Sequence, residues 1–278
     1  MVDNGDFSVR FWGVRGTVPC PGPKTVDYGG NTSCVEITCG EHRLIFDAGT
    51  GLRALGSSLA GQKGLRAHIF LTHTHIDHIA GFPFFRPAYD PSNCFEVWSG
   101  HLAARPGGLQ GVLKGLMSGP LFPVPIDIMH ACMAFNDFNA GERLEPLEGV
   151  VVETARLNHP QGATGYRVNY RGKSVCYVTD TEHREGRLDE NILKLIQGSD
   201  FVIYDTTYTE EEYPLFRTWG HSTWREGVRL CEAAGVKTLV AFHHDPDHDD
   251  AFMDGIARDL EQSRPGSIVA KEGMVIHL

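Results

Sequence analysis

The sequence has 278 residues, with 25 Lys and Arg against 35 Asp and Glu and a formal charge of −10. That length suits one large domain or two small ones, and the acidic balance argues against a broad polynucleotide grip, which needs clustered cations to neutralise phosphates. Ordinary apolar and charged fractions exclude disorder as the default, and no apolar run approaches a membrane span. Seven cysteines without a C-x-x-C pair read as reduced thiols. The start "MVDNGDFSVRFWG" shows neither a basic n-region nor an apolar h-region, so a cytoplasmic protein is expected.

Short runs rich in Val, Ile, Phe and Tyr open the chain: "FSVRFWG", "CVEITC" and "RLIFDAG". Each is bounded by Gly, Asp or Asn and reads as a strand. "TGLRALGSSLAG" then carries apolar positions at helical spacing, before the strand-like "AHIFLT" and "CFEVWSG". Residues 101–149 are punctuated by Gly and Pro and read as a loop-rich insertion over a site. Strand-like "GYRVNYRG", "SVCYVTD", "FVIYDTT", "TLVAFHH" and "IVAKEGMVIHL" follow, interleaved with helical "DENILKLIQGSD", "STWREGVRLCEAAG" and "DDAFMDGIARDLEQS". Asp189 and Ser222 are the expected N-caps and Gly235 the expected stop. The acidic "DPDHDD" reads as a helix N-terminal cluster, since it lacks the spacing of a calcium loop. Alternating strands and helices predict sheets covered by helices, an α/β layer architecture.

Between two of these strands lies "LTHTHIDHIAGFPFF", which puts His73, His75, Asp77 and His78 within six positions. Residues two apart in an extended chain face the same way, so His73, His75 and Asp77 can share a side. A turn from Ile76 would bring His78 round to a neighbouring position. One short segment could therefore serve two adjacent metals, and imidazole with carboxylate suits Zn, Mn, Fe or Ni. His159, Asp180 and the pair His243 and His244 also sit in polar turns beside apolar strands. Converging strand ends are the usual place for a site in layered α/β folds. The aromatic "GFPFFRPAY" reads mainly as core, with Arg86 left for a surface ion pair or a substrate phosphate. His183, His244 and His248 read as polar loop residues near the mouth.

His73, His75, Asp77 and His78, followed by His159, Asp180 and His243, resemble the H-x-H-x-D-H signature and later ligands of the metallo-β-lactamase superfamily. The resemblance covers nearly the whole chain. "WGHSTWREGVRLCEAAGVKTLVAFHHDP" and "VIYDTTYTEEE" are similar to its ribonuclease Z-like and small phosphodiesterase branch. It implies a single αββα domain over 1–278, two mixed sheets flanked by helices, and a cytoplasmic hydrolase, with a homodimer as a family-level expectation. It also implies two divalent metals, Zn first with Mn, Fe or Ni as alternatives. His73, His75 and His159 would hold one, Asp77, His78 and His243 the other, and Asp180 both, together with a bridging hydroxide. His243 rather than His244 would be the ligand, and Asp47 would orient a ligand histidine. His221, paired with Asp205, would contact the scissile phosphate, and Asp77 would help orient the hydroxide.

Ribonuclease Z proper inserts a long arm between its third histidine and bridging aspartate, whereas here residues 160–179 leave room only for a hairpin. The expectation is therefore a phosphodiesterase acting on a small or nucleotide-derived diester, without stable polynucleotide or membrane binding. Hydrolysis of a lactone, thioester or β-lactam is the alternative chemistry, and a non-catalytic metal-bound sensor the third reading.

Overall fold

The computed structural model describes residues 7–278; the residues before Phe7, part of the start read above as lacking a leader, lie outside the described residues. Strands β1 (Phe7–Gly13), β2 (Cys34–Cys39), β3 (His42–Phe46), β4 (Arg66–Leu71), β5 (Cys94–Ser99) and β6 (Cys132–Asp137) lie side by side in that order. A second sheet takes β7 (Arg143–Leu147), β8 (Val150–Leu157), β9 (Ala163–Tyr170), β10 (Lys173–Val178), β11 (Phe201–Asp205), β12 (Thr238–Phe242) and β13 (Ile268–Val269). β14 (Val275–His277) then returns to pair antiparallel with β1 in the first sheet. Both sheets are mixed. β1–β3 and β7–β10 pair antiparallel, while β3–β6 and β10–β13 pair in parallel.

The central parallel strands are buried on both faces, as "RAHIFL", "FVIYD" and "TLVAF" require. Phe11, Val35, Phe46 and Phe70 of one sheet meet Tyr166, Val175, Tyr177 and Phe242 of the other in the inter-sheet core. Outside the first sheet, α1 (Gly51–Ser58), the short α2 (Ile76–Ile79) and α3 (Gly108–Leu116) occur, and Leu52, Leu55, Leu109 and Leu113 cover that sheet's outer face. The second sheet is covered by α4 (Glu190–Ile196), α5 (Trp224–Ala233) and α6 (Asp250–Ser263). The result is the expected αββα sandwich. No helix among the described residues is long and apolar enough to cross a membrane.

Three local readings change. Ser222 is not the cap of α5: Thr223 Oγ1 accepts from Glu226 N at 3.2 Å, while Ser222 Oγ is taken by Tyr204 and His183. "IVAKEGMVIHL" is not one strand, because the turn at Lys271–Met274 splits it between the two sheets. The loop-rich stretch 101–149 contains α3 and the strands β6 and β7, one at the edge of each sheet. Edge strands have one unpaired side, so their half-exposed, polar-interrupted sequences give a weak strand signal. Asp189 does cap α4, accepting from Asn191 N and Ile192 N. The acidic run does start a helix, with Asp249 as the cap of α6.

Candidate metal centre

β8 runs parallel to β10, since each pairs antiparallel with β9. The C-terminal ends of β3, β4, β8, β10, β11 and β12 therefore share one rim of the sandwich. They deliver Asp47, the 73–78 segment, His159, Asp180, Asp205 and His243 in turn. Asp47, Asp180 and His243 adopt left-handed φ values of 61°, 59° and 63°. Non-glycine residues in that region are strained, and the strain persists where surrounding structure holds it. Here it turns each side chain off its strand end and into the rim.

Among the described residues three groups of donor atoms result, one of them Asp205, His221 and His243; the other two flank Asp180. Ligand-type atoms of His73, His75 and His159 lie within 4.8 Å of one another, as do those of Asp77, His78, Asp180 and His243. Asp180 faces both. Its Oδ1 is 3.7 Å from His73 Nε2 and 3.7 Å from His159 Nε2, while its Oδ2 is 3.1 Å from His78 Nε2 and 3.3 Å from His243 Nε2. Asp77 Oδ2 completes the second group, 3.2 Å from His78 Nε2 and 3.5 Å from His243 Nε2.

The outer nitrogens decide what the inner ones can do. His159 Nδ1 donates to Gly220 O at 2.8 Å, and His75 Nε2 donates to Gln161 Oε1 at 2.8 Å. His78 Nδ1 donates to Asp47 Oδ2 at 2.8 Å, and His243 Nδ1 lies 3.0 Å from Thr207 Oγ1. A neutral imidazole that donates outward presents a lone pair inward. His75 Nδ1 and His159 Nε2 then oppose each other at 3.2 Å, and His73 Nε2 is buried with no hydrogen-bond partner. Converging lone pairs around an orphaned nitrogen fit divalent cations, as does a donor set of imidazoles and carboxylates.

Charge leads to the same conclusion. Asp47, Asp77, Asp180 and Asp205 are all buried here, and buried carboxylates need paired positive charge. Burial would raise Asp180, but His243 and His78 chiefly outweigh it and hold the carboxyl well below its usual range. Burial, reinforced by His78, pushes the His73 pKa well below its ordinary value.

Supports from distant parts of the chain complete the rim. Thr17 N donates to Asp77 Oδ2 at 2.9 Å, and a Cβ at Gly16 would stand 2.3 Å from the His243 ring, so that loop must pass as glycine. The buried Arg15 ties the loop down through the carbonyls of Gly29, Asp245 and His248. Asp47 accepts from Thr72 N, Thr72 Oγ1, Tyr177 Oη and His78 Nδ1. Asp47→Asn is expected to weaken metal binding about 10–100-fold, read by competition with a chromogenic chelator. Unchanged affinity would mean that His78 needs no such anchor.

His221 lies beside the second group, its ring 4.9 Å from that of His243. Its Nδ1 is 3.0 Å from Asp205 Oδ2 and 3.8 Å from Asp180 Oδ1. Burial would lower its pKa, but Asp205 chiefly, with Asp180 and Asp77, raises it to about 9. The other histidines read as loop residues near the mouth are buried instead. His244 is fully buried and donates from Nε2 to Ala270 O, away from the donor groups. His183 stacks on Tyr213, and His248 is bonded to Glu212. Phe82 and Phe85 are core as expected, whereas Phe84 and Arg86 are exposed. Gln161, Thr207, Tyr177, Thr17 and the Gly220 carbonyl were not singled out from sequence. Each belongs to a different loop or strand, and only folding gives it a partner.

Fold and donor set together define the class, a hydrolase that works with divalent metal ions. The chain belongs to the metallo-β-lactamase superfamily: a family model described as a beta-lactamase superfamily domain matches residues 42–244. It is 23% identical to a ribonuclease Z of Haloarcula marismortui over 96% of this chain and 95% of that protein. The short form of human tRNase Z superposes with a TM-score of 0.70 at 20% identity, covering 97% of this chain and 98% of that one. A diphosphatase from the PhnP family gives a TM-score of 0.73 at 17% identity, covering 98% of each chain. Beyond the superfamily, the chain is similar along most of its length to ribonuclease Z proteins, and the two structures show the shared fold.

Proposed function

We propose that the chain is a dinuclear metal-dependent phosphodiesterase acting on a small or nucleotide-derived diester. The observation that carries this reading is the division of Asp180, one carboxylate oxygen to each donor group, with the His221–Asp205 pair alongside. In this reading His73, His75 and His159 hold one cation, Asp77, His78 and His243 the other, and Asp180 is shared. Zn suits the nitrogen-rich set best, and Mn, Fe or Ni are compatible with it. Such a pair supplies Lewis acidity toward a phosphoryl oxygen and an activated water as nucleophile.

The protein's own groups do the rest. Asp77, fixed by Thr17 N, orients the attacking water from the side of the second donor group. His221 is held as an imidazolium by Asp205 and offers a proton to the departing alkoxide. Asp205 is itself immobilised by Thr181 N, Thr207 N and Thr207 Oγ1. The small-substrate reading is supported by the β9–β10 hairpin, which closes through Arg171 and Gly172 and carries no arm. It is supported also by the net charge of −10. The 101–149 segment starts at the rim, where His101 Nε2 lies 3.2 Å from Thr74 Oγ1, and we read it as part of the cover over the substrate.

Protein loaded with Zn or Mn is expected to hydrolyse bis(p-nitrophenyl) phosphate, and chelator-treated protein to be inactive. Two bound metals with turnover of a lactone, thioester or β-lactam, but none of the diester, would replace phosphate with a carbonyl substrate.

A further inference from the structure

The hydrolytic reading leaves one feature of the rim unused. A file of rings leads outward from His221. Its ring is 5.9 Å from that of Tyr208, Tyr208 stacks on Phe216 at 4.7 Å and 10°, and Phe216 meets Trp219 edge-on at 5.3 Å. Exposure rises along the file. Tyr208 is buried, Phe216 half-buried, and Trp219 is 60% exposed.

The loop bearing these rings is tightly held. The Glu182 carboxylate accepts from Thr218 N and Gly220 N, each at 2.9 Å, and Tyr213 Oη donates to His183 O at 2.8 Å. Arg217 pairs with Glu185. Gly220 O takes the His159 Nδ1 proton, and a Cβ on Gly220 would stand 2.3 Å from that ring. Thr218 is held at φ 75°, a left-handed value that is an outlier for a β-branched residue. Strain of this kind collects at ligand clamps. Here it is maintained between a histidine of the first donor group and an indole presented to solvent.

We propose that Trp219, backed by Phe216, is a stacking platform for a planar base on the leaving-group side of the substrate; this rests on the phosphodiesterase reading above. The file starts at His221, the group that meets the departing oxygen, so a ring carried by the leaving group falls over it. Aromatic faces accept any base, because every base has a π-face. The platform therefore selects nucleotide-derived diesters over alkyl ones without reading sequence.

The test is calorimetric binding of adenosine 5′-monophosphate and ribose 5-phosphate to the zinc-loaded full chain. The two ligands share sugar and phosphate and differ by the base. The unsubstituted protein is expected to prefer the nucleotide by about tenfold. Trp219→Ala should remove that preference while metal content and ribose 5-phosphate affinity stay unchanged, and Trp219→Phe should keep most of it. Equal affinities in the unsubstituted protein, or a preference that survives Trp219→Ala, overturns the platform. So does a dimer that dissociates on Trp219→Ala, which would assign the indole to a second copy of the chain. A base preference without diester hydrolysis would overturn the catalytic reading alone, and hydrolysis without base preference the platform alone.

Discussion

Asp180→Ala is expected to lower the turnover of bis(p-nitrophenyl) phosphate by about 10²–10³-fold or more and to reduce bound metal below two per chain. The expectation comes from the position of this carboxylate. It is buried with one oxygen toward His73 and His159 and the other toward His78 and His243. Removing it takes a donor from both groups at once and leaves five histidine rings with less negative charge among them. Metal analysis beside single-turnover kinetics separates the two effects. Full metal content with full activity in the variant would show that Asp180 is only a hydrogen-bond acceptor, and the dinuclear reading would be lost.

His221→Ala should cost about 10²–10⁴-fold, the usual weight of a general acid, with metal content unchanged. Its dependence on the leaving group makes the test specific. p-Nitrophenolate departs readily without a proton, whereas an alkoxide does not. The loss should therefore be small for bis(p-nitrophenyl) phosphate and large for a dinucleotide. A uniform loss would demote His221 to a structural role, as the ring stacked on His243. Asp205→Asn should follow the same pattern less steeply. The double variant should be little worse than His221→Ala, because residues acting through one another are not additive. Asp205 also anchors two threonines, so a thermal melt must accompany that variant.

Much of this site was legible before folding because its chemistry is local. Four of the donors lie within one six-residue segment, and the others follow strands whose apolar runs are plain. Metal-ligand side chains at the ends of buried strands are informative, since polar groups placed there must meet either water or one another. The elements that went unread are those whose sequences carry little signal alone. β6 and β7 are edge strands with polar interruptions, and the Ser222–Thr223 pair offers two equivalent caps from which only the backbone path selects one.

Residue types, their spacing and the apolar runs thus point to the layered architecture and to a set of candidate donors. Folding alone decides which nitrogen of each imidazole faces inward. That choice depends on the partner of the outer nitrogen: Asp47 for His78, Gln161 for His75, Thr207 for His243 and the Gly220 carbonyl for His159. All four partners are more than thirty positions away in the chain, and they are fixed by strand register and loop packing rather than by local preference. Folding likewise turned His244 inward to Ala270 and away from the donor groups, one residue from His243. Adjacent residues at a strand end point to opposite faces, so identical side chains there meet different surroundings.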